Sequence, residues 1–216
     1  MLEWVRKLPV FAIWTFLSVE FVISLATQRW STAFVCAATI GLSLLPVLFA
    51  SRFDIRLPRS FLFGIVLFVF ATIYLGELGD FYERYWWWDV AMHAGSAMAF
   101  GLMGFLFVFM MFEGDRYAAP PIAITFLAFC VAVTIGAVWE IFEFAMDQLF
   151  GFNMQKSGLV DTMGDLIVDC IGAAIGAAMG FLYLKGRQHG GPLGAITEFV
   201  LLNRRLFRKA REMGRR

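Results

Sequence analysis

"SGLVDTMGDLIVDCIGAAIGAAMG", residues 157–180, joins two patterns in one segment. Asp161, Asp165 and Asp169 recur every fourth residue, and the apolar run that follows has no charge until Lys185. Four-residue spacing stacks side chains on one face of a helix, so the first half presents a stripe of three carboxylates. Gly172, Gly176 and Gly180 keep the same rhythm through the second half. Small residues at that spacing let helices approach closely in lipid. The stretch reads as a membrane-spanning helix with an acidic wall at one end and a close-packing seam at the other.

The rest of the chain supports a membrane setting. Of its 216 residues 60% are hydrophobic, and 25 are Phe; soluble domains average about 45–50% apolar residues. A bilayer crossing needs about 20 apolar residues. Such runs occur at roughly Pro9–Thr27, Ser31–Ala50, Ser60–Leu78, Val90–Phe112, Pro121–Phe150 and Thr162–Leu184. The predicted fold is all-α: a polytopic integral membrane bundle of about six transmembrane helices. Residues 1–190 form a single membrane domain, and 191–216 a basic cytoplasmic tail. Arg6 and Lys7 before the first run, and Ser24-Leu-Ala26 at its end, look like a signal peptide, but the apolar core exceeds the usual h-region of about 7–15 residues. It reads as a retained span. Cys36, Cys130 and Cys170 have no metal-ligand spacing and read as small buried apolar residues.

Charge asymmetry orients the spans. Of the 18 Lys and Arg, all but Arg29, Arg84 and Lys156 fall in the termini and in the loops after the second and fourth spans. The positive-inside rule makes both termini cytoplasmic. "RYWWWD", residues 84–89, lies where the fourth span enters from the outer face, and its aromatic residues suit interfacial anchors. In the tail, Phe199, Leu202, Leu206, Ala210 and Met213 fall on one helical face. That pattern suits contact with anionic lipid of the inner leaflet; a solvated tail is the plain alternative. The partner implied is the lipid bilayer, and nothing in the chain calls for nucleic acid.

Three spans carry acidic stripes in their outer halves. Asp89 and His93 are spaced i,i+4 on the fourth. Glu140, Glu143 and Asp147 lie within an arc of roughly 60° on the fifth, and Asp161, Asp165 and Asp169 within about 80° on the sixth. At about 1.5 Å per residue, Asp169 lies roughly 12 Å below Asp161, Glu140 about 10 Å below Asp147, and His93 about 6 Å below Asp89. An intramembrane carboxylate costs about 2.5–3.5 kcal/mol at the bilayer centre, so these residues are expected to face a shared cavity. The seven carboxylates adjoin only Arg84 and Lys156 in the outer loops, too few to neutralise them by pairing. Bound cations or shared protons remain. Carboxylates suit Mg²⁺, Mn²⁺ or Ca²⁺, and the imidazole admits Zn or Fe. The candidate metal ligands are Asp89, His93, Glu140, Glu143, Asp147, Asp161, Asp165 and Asp169; His93, Glu140 and Glu143 are the candidate acid–base residues. Plainer readings make Asp161 the N-cap of its helix and leave Asp147 and Asp89 solvated. Glu20 reads as a single hydrogen-bonded core residue, and Glu77 and Asp80 as the start of an exposed loop.

"WWWDVAMHAGSAMAFG", "WEIFEFAMDQLFGFNMQ" and "LVDTMGDLIVDCIGA" together resemble the bacterial inner-membrane YjdF-like family, domain of unknown function 2238. The resemblance covers roughly Glu77–Gly180. A weaker similarity is to VanZ-like membrane proteins, in which a His, a Glu, a Gln and Asp/Asn positions recur on comparable helices. The resemblance implies an integral protein of the bacterial inner membrane with a polar core, and it implies no reaction.

Three functions compete on the residues alone. One is an enzyme or lipid-handling protein whose divalent ion holds a phosphate-bearing headgroup at the outer leaflet; no P-loop or HExxH pair accompanies it. The second is an ion-coupled transporter, which needs a polar route through both membrane halves; the cytoplasmic halves offer hydroxyls such as Ser43, Thr125 and Thr134 but no ionisable side chain. The third is a non-catalytic assembly or regulatory membrane protein whose polar cluster sets helix packing.

Overall fold

The computed structural model describes residues 8–113, 115, 119–187 and 190–207. These residues form helices and connecting turns, with no strand among them. The helices are α1 (Leu8–Ala26), α2 (Trp30–Arg52), α3 (Arg59–Val69, continuing as a π-helix over Phe70–Leu78), the short α4 (Phe81–Arg84), α5 (Trp86–Met111), α6 (Pro121–Phe150), α7 (Leu159–Leu184) and α8 (Gly191–Leu202). Among the described residues six helices are long and apolar enough to cross a membrane: α1, α2, the continuous Arg59–Leu78 segment, α5, α6 and α7. Their limits follow the six apolar runs of the sequence. Large apolar side chains such as Phe34, Phe126, Ile141 and Ile167 are exposed along them, as expected where the solvent is lipid.

Contacts divide the chain into two compact units, Met1–Trp88 and Asp89–Arg216. In the first, α1 and α2 are joined by the turn at 27–29, and the Trp14 indole donates to the Ser43 hydroxyl at 2.9 Å. Phe16 meets Phe70 and Tyr74 edge-on, with centroids 6.1 and 5.4 Å apart. The amide of Gly79 donates to the Tyr74 carbonyl at 3.0 Å, the i→i−5 bond that defines π winding. Apolar patterning cannot distinguish that winding from an α-helix. Glu20 is hydrogen-bonded, as expected, and its partner is Arg29 at 3.2 Å. Asp80 lies at an exposed turn and pairs with Arg84 at 3.5 Å. Trp86 is 85% exposed and Trp87 is also exposed, the disposition of interfacial anchors.

In the second unit the glycine rhythm becomes a seam. A Cβ on Gly172 would press on the Ala94 carbonyl and Ala97, and one on Gly176 on the backbone of Met98 and Leu102. From the other side, Gly101 faces the backbone at Ala173, Gly176 and Ala177. Gly180 gives its space to the Phe105 ring, and Gly104 lets α5 approach Ala128 of α6. Backbone therefore meets backbone along α5 and α7. In lipid, where burial of apolar surface gives no drive between helices, such contact supplies the dispersion that holds them.

The segment after α7 folds back onto this pair. Phe105 and Phe109 of α5, Tyr183 of α7, Phe199 of α8 and Phe207 form one aromatic cluster, with Phe109 and Phe207 centroids 5.6 Å apart. Ile196, Val200, Asn203 and Phe207 are buried. The face that the sequence assigns to lipid is a different one: of Phe199, Leu202 and Leu206, the first and last are half-buried and Leu202 is exposed. The buried stripe follows the aromatic pocket offered by α5 and α7, which the tail's own periodicity does not encode. Ala210 and Met213 lie outside the described residues.

Gly176→Ala should force α5 and α7 apart and destabilise the protein by about 1–3 kcal/mol, the usual cost of overpacking. Gly164→Ala, on the same helix with open space at its Cβ, should be neutral or slightly stabilising, because Ala is the better helix former. Thermal unfolding of the two purified variants in detergent checks the contrast.

Candidate metal centre

The seam sets α5 against α7 at a fixed register, and His93 of α5 consequently lies beside the acidic face of α7. His93, Glu140, Asp165 and Asp169 are all buried, at 8, 4, 5 and 2% exposure. The imidazole is enclosed by carboxylates. Its Nδ1 is 3.3 Å from Oδ1 of Asp169. Its Nε2 is 3.9 Å from Asp89 Oδ1, 3.9 Å from Glu140 Oε1 and 4.0 Å from Asp165 Oδ2.

These distances have different meanings. The Nδ1 contact is a long hydrogen bond, and since an ionised carboxylate only accepts, the ring places its N–H on Nδ1. The three contacts at Nε2 exceed the hydrogen-bond range of about 2.7–3.2 Å. Two donors bound to one ion at about 2.1 Å stand roughly 3–4 Å apart, which is the spacing found here. Donor atoms of His93, Glu140 and Asp165 all lie within 4.8 Å of one another, as do those of Asp89, Asp161 and Asp165. Asp165 belongs to both groups.

Glu140 is the most unusual member. Both of its carboxylate oxygens are buried and neither has a hydrogen bond of ordinary length; the Thr162 hydroxyl and the His93 imidazole, 3.9 Å away, are its polar neighbours. A buried carboxylate without compensation costs several kcal/mol. Of the two cationic residues that the sequence places nearby, Arg84 is engaged with Asp80 and Lys156 lies by Asp161. His93, Glu140 and Asp165 could hold a cation on the Nε2 side of the ring.

The remaining sequence candidates separate from these two groups. Glu143 accepts a hydrogen bond from the Trp139 indole at 2.9 Å. Asp147 accepts from the amides of Met154 and Gln155, at 2.7 and 2.9 Å, and so ties the loop after α6 back to its own helix. Asp169 sits behind the imidazole, on the Nδ1 side. Asp161 is not the N-cap: α7 begins at Leu159 with Gly158 as its cap. Asp161 instead occupies the first turn, where a carboxylate is favoured by the helix dipole.

Three supporting residues escaped the sequence reading. Gly136, one turn before Glu140, is needed because a Cβ there would collide with the Asp169 carboxylate. Trp139 holds Glu143, and Gln155 donates through its side chain to the Thr162 hydroxyl. The i,i+4 spacing of Trp139 and Glu143 was a readable signal; the Gly136–Asp169 fit lies between helices and had none.

Asp147→Ala should free the loop amides of Met154 and Gln155 at a cost of about 1–3 kcal/mol while leaving the His93 cluster in place. Hydrogen exchange should then rise sharply over residues 151–156 and little around residues 89–97.

Comparison with known proteins bears on the membrane fold. The family described as "Predicted membrane protein (DUF2238)" matches residues 9–186. An uncharacterized protein of Thermotoga maritima is 31% identical over 120 residues, which is 55% of this chain and 60% of that protein. The chain thus spans less than two thirds of that relative's length. No solved structure matches. These comparisons do not show a likeness to VanZ-like proteins. With the match running from the first span to the end of the sixth, this chain belongs to the DUF2238 family of predicted membrane proteins.

Proposed function

We propose that this protein binds a divalent cation at His93, Glu140 and Asp165 within the membrane, in an acidic cavity facing the outer side of the bacterial inner membrane. The observation that carries this reading is the Glu140 carboxylate, buried with no hydrogen bond of ordinary length on either oxygen and 3.9 Å from the histidine nitrogen that also faces Asp89 and Asp165. The carboxylates suit Mg²⁺, Mn²⁺ or Ca²⁺, and the imidazole admits Zn²⁺ or Fe²⁺. Asp89 and Asp161 extend the donor set through Asp165.

The ligand proposed for the bound cation is a phosphate-bearing lipid headgroup. A divalent ion at this depth would neutralise and polarise a phosphoryl oxygen. Glu143, outside both donor groups and oriented by Trp139, is the acid–base candidate. The orientation, with both termini cytoplasmic, rests on the distribution of Lys and Arg. Transport is disfavoured by the sequence: residues 98–111 of α5, 121–139 of α6 and 170–184 of α7 contain no ionisable side chain other than Cys and Tyr.

Metal analysis of the full chain, gently purified, tests the reading. Wild type should retain about one divalent ion per chain or more, and Glu140→Gln and Asp165→Asn should each lose it while remaining monodisperse. Wild type that neither retains nor takes up a divalent ion, and whose variants melt below it, would instead indicate a metal-free polar network that sets helix packing. If metal is bound, vesicles carrying phosphate-headgroup lipid should show a metal-dependent gain in thermal stability over vesicles of neutral glycolipid.

A further inference from the structure

Resting on the metal-centre reading, we infer that Asp169 and His93 act together as a selectivity device: Asp169 fixes the imidazole with Nε2 as a donor, so the centre takes a first-row transition ion of the Mn²⁺, Fe²⁺ or Zn²⁺ class in preference to Mg²⁺ or Ca²⁺. Asp169 is a positioning residue on this inference, and it acts through His93.

Four observations combine. First, Asp169 is 2% exposed and its Oδ1 meets Nδ1 at 3.3 Å, so the proton-bearing nitrogen faces away from the cluster of donors. Second, Nε2 faces Asp89, Glu140 and Asp165 at 3.9–4.0 Å, so a metal ion entering there would take the place of any proton on that nitrogen. Third, Glu140 is buried with no hydrogen bond of ordinary length on either oxygen, and its Oε1 faces the same Nε2 at 3.9 Å. Fourth, the place of Asp169 is shaped by α6, whose Gly136 leaves room for the carboxylate and for no side chain of its own.

Chemistry turns this arrangement into a preference. Mg²⁺ and Ca²⁺ are hard ions that take oxygen donors, and Mg²⁺ retains its waters. A set of carboxylates alone would suit them. An imidazole in the set shifts the balance toward ions that accept nitrogen. A carboxylate behind the imidazole fixes the tautomer, holds the ring plane and makes the nitrogen a better donor. Replacing such a carboxylate typically costs about 10–100-fold in metal affinity. The loss should fall on ions that draw on the nitrogen and largely spare those bound through oxygen.

The test uses the full chain in detergent or nanodiscs with Mn²⁺ as the probe. Wild type should bind Mn²⁺ with a ¹⁴N coupling from one imidazole in pulsed EPR, and should hold it against a hundredfold excess of Mg²⁺ or Ca²⁺. His93→Gln should abolish the coupling. Asp169→Asn should weaken Mn²⁺ binding about 10–100-fold and change Mg²⁺ binding much less, collapsing the preference. If wild type binds Mn²⁺ without nitrogen coupling, or releases it to equimolar Mg²⁺, the inference is overturned and the metal centre itself stands. If wild type binds no divalent ion, the metal-centre reading fails and takes this inference with it. Both wild-type measurements decide the matter even where Asp169→Asn does not fold.

Discussion

Everything at the centre depends on how closely α5 can approach α7. The contact is backbone to backbone: Gly101 meets the chain at Ala173 and Gly176, while Gly172 and Gly176 meet it at Ala94, Met98 and Leu102. No residue larger than Gly fits at those points without a shift. Close packing of this kind holds two helices in one register. That register places His93 between Asp165 on one ring nitrogen and Asp169 on the other. A slide of one turn along the seam would separate the imidazole from both.

The third helix, α6, closes the site by a second use of glycine. Gly104 of α5 faces Ala128 of α6, and Gly136 accommodates the Asp169 carboxylate. Between these contacts and the loop anchored by Asp147, Glu140 is turned inward, with no hydrogen bond of ordinary length. The structure thus concentrates carboxyl groups in a buried interior, and His93 is the shared basic neighbour of four of them. Burial without a hydrogen bond of ordinary length is costly for a carboxyl group, which is why Glu140 weighs more than the number of acids around it.

Much of this was legible along the chain because the membrane imposes strong patterns. The length of the apolar runs set the spans, and α6 begins and ends where its run does, at Pro121 and Phe150. The four-residue rhythm of Gly172, Gly176 and Gly180 announced the seam. The acidic stripes marked the correct three helices. Less was legible where a pattern has two physical outcomes. An Asp near a helix start is either a cap or a first-turn residue, and Asp161 proved to be the latter. The tail helix turned Ile196, Val200 and Phe207 inward, because an aromatic pocket on other helices awaited them. The π winding of Phe70–Leu78 leaves no trace in hydropathy.

By itself the sequence determined which segments are helices in lipid, which of their faces are acidic and which are small, and that the acids outnumber the cations near them. These are properties of one helix at a time, read from spacing and composition. Only the tertiary structure decided which acids converge and which do other work. Asp165 and Glu140 come together around Nε2 of His93; Asp169 is diverted to Nδ1, Asp147 to loop amides and Glu143 to Trp139. That division depends on the register and rotation of helices against one another, and these are set by contacts between residues far apart in the chain.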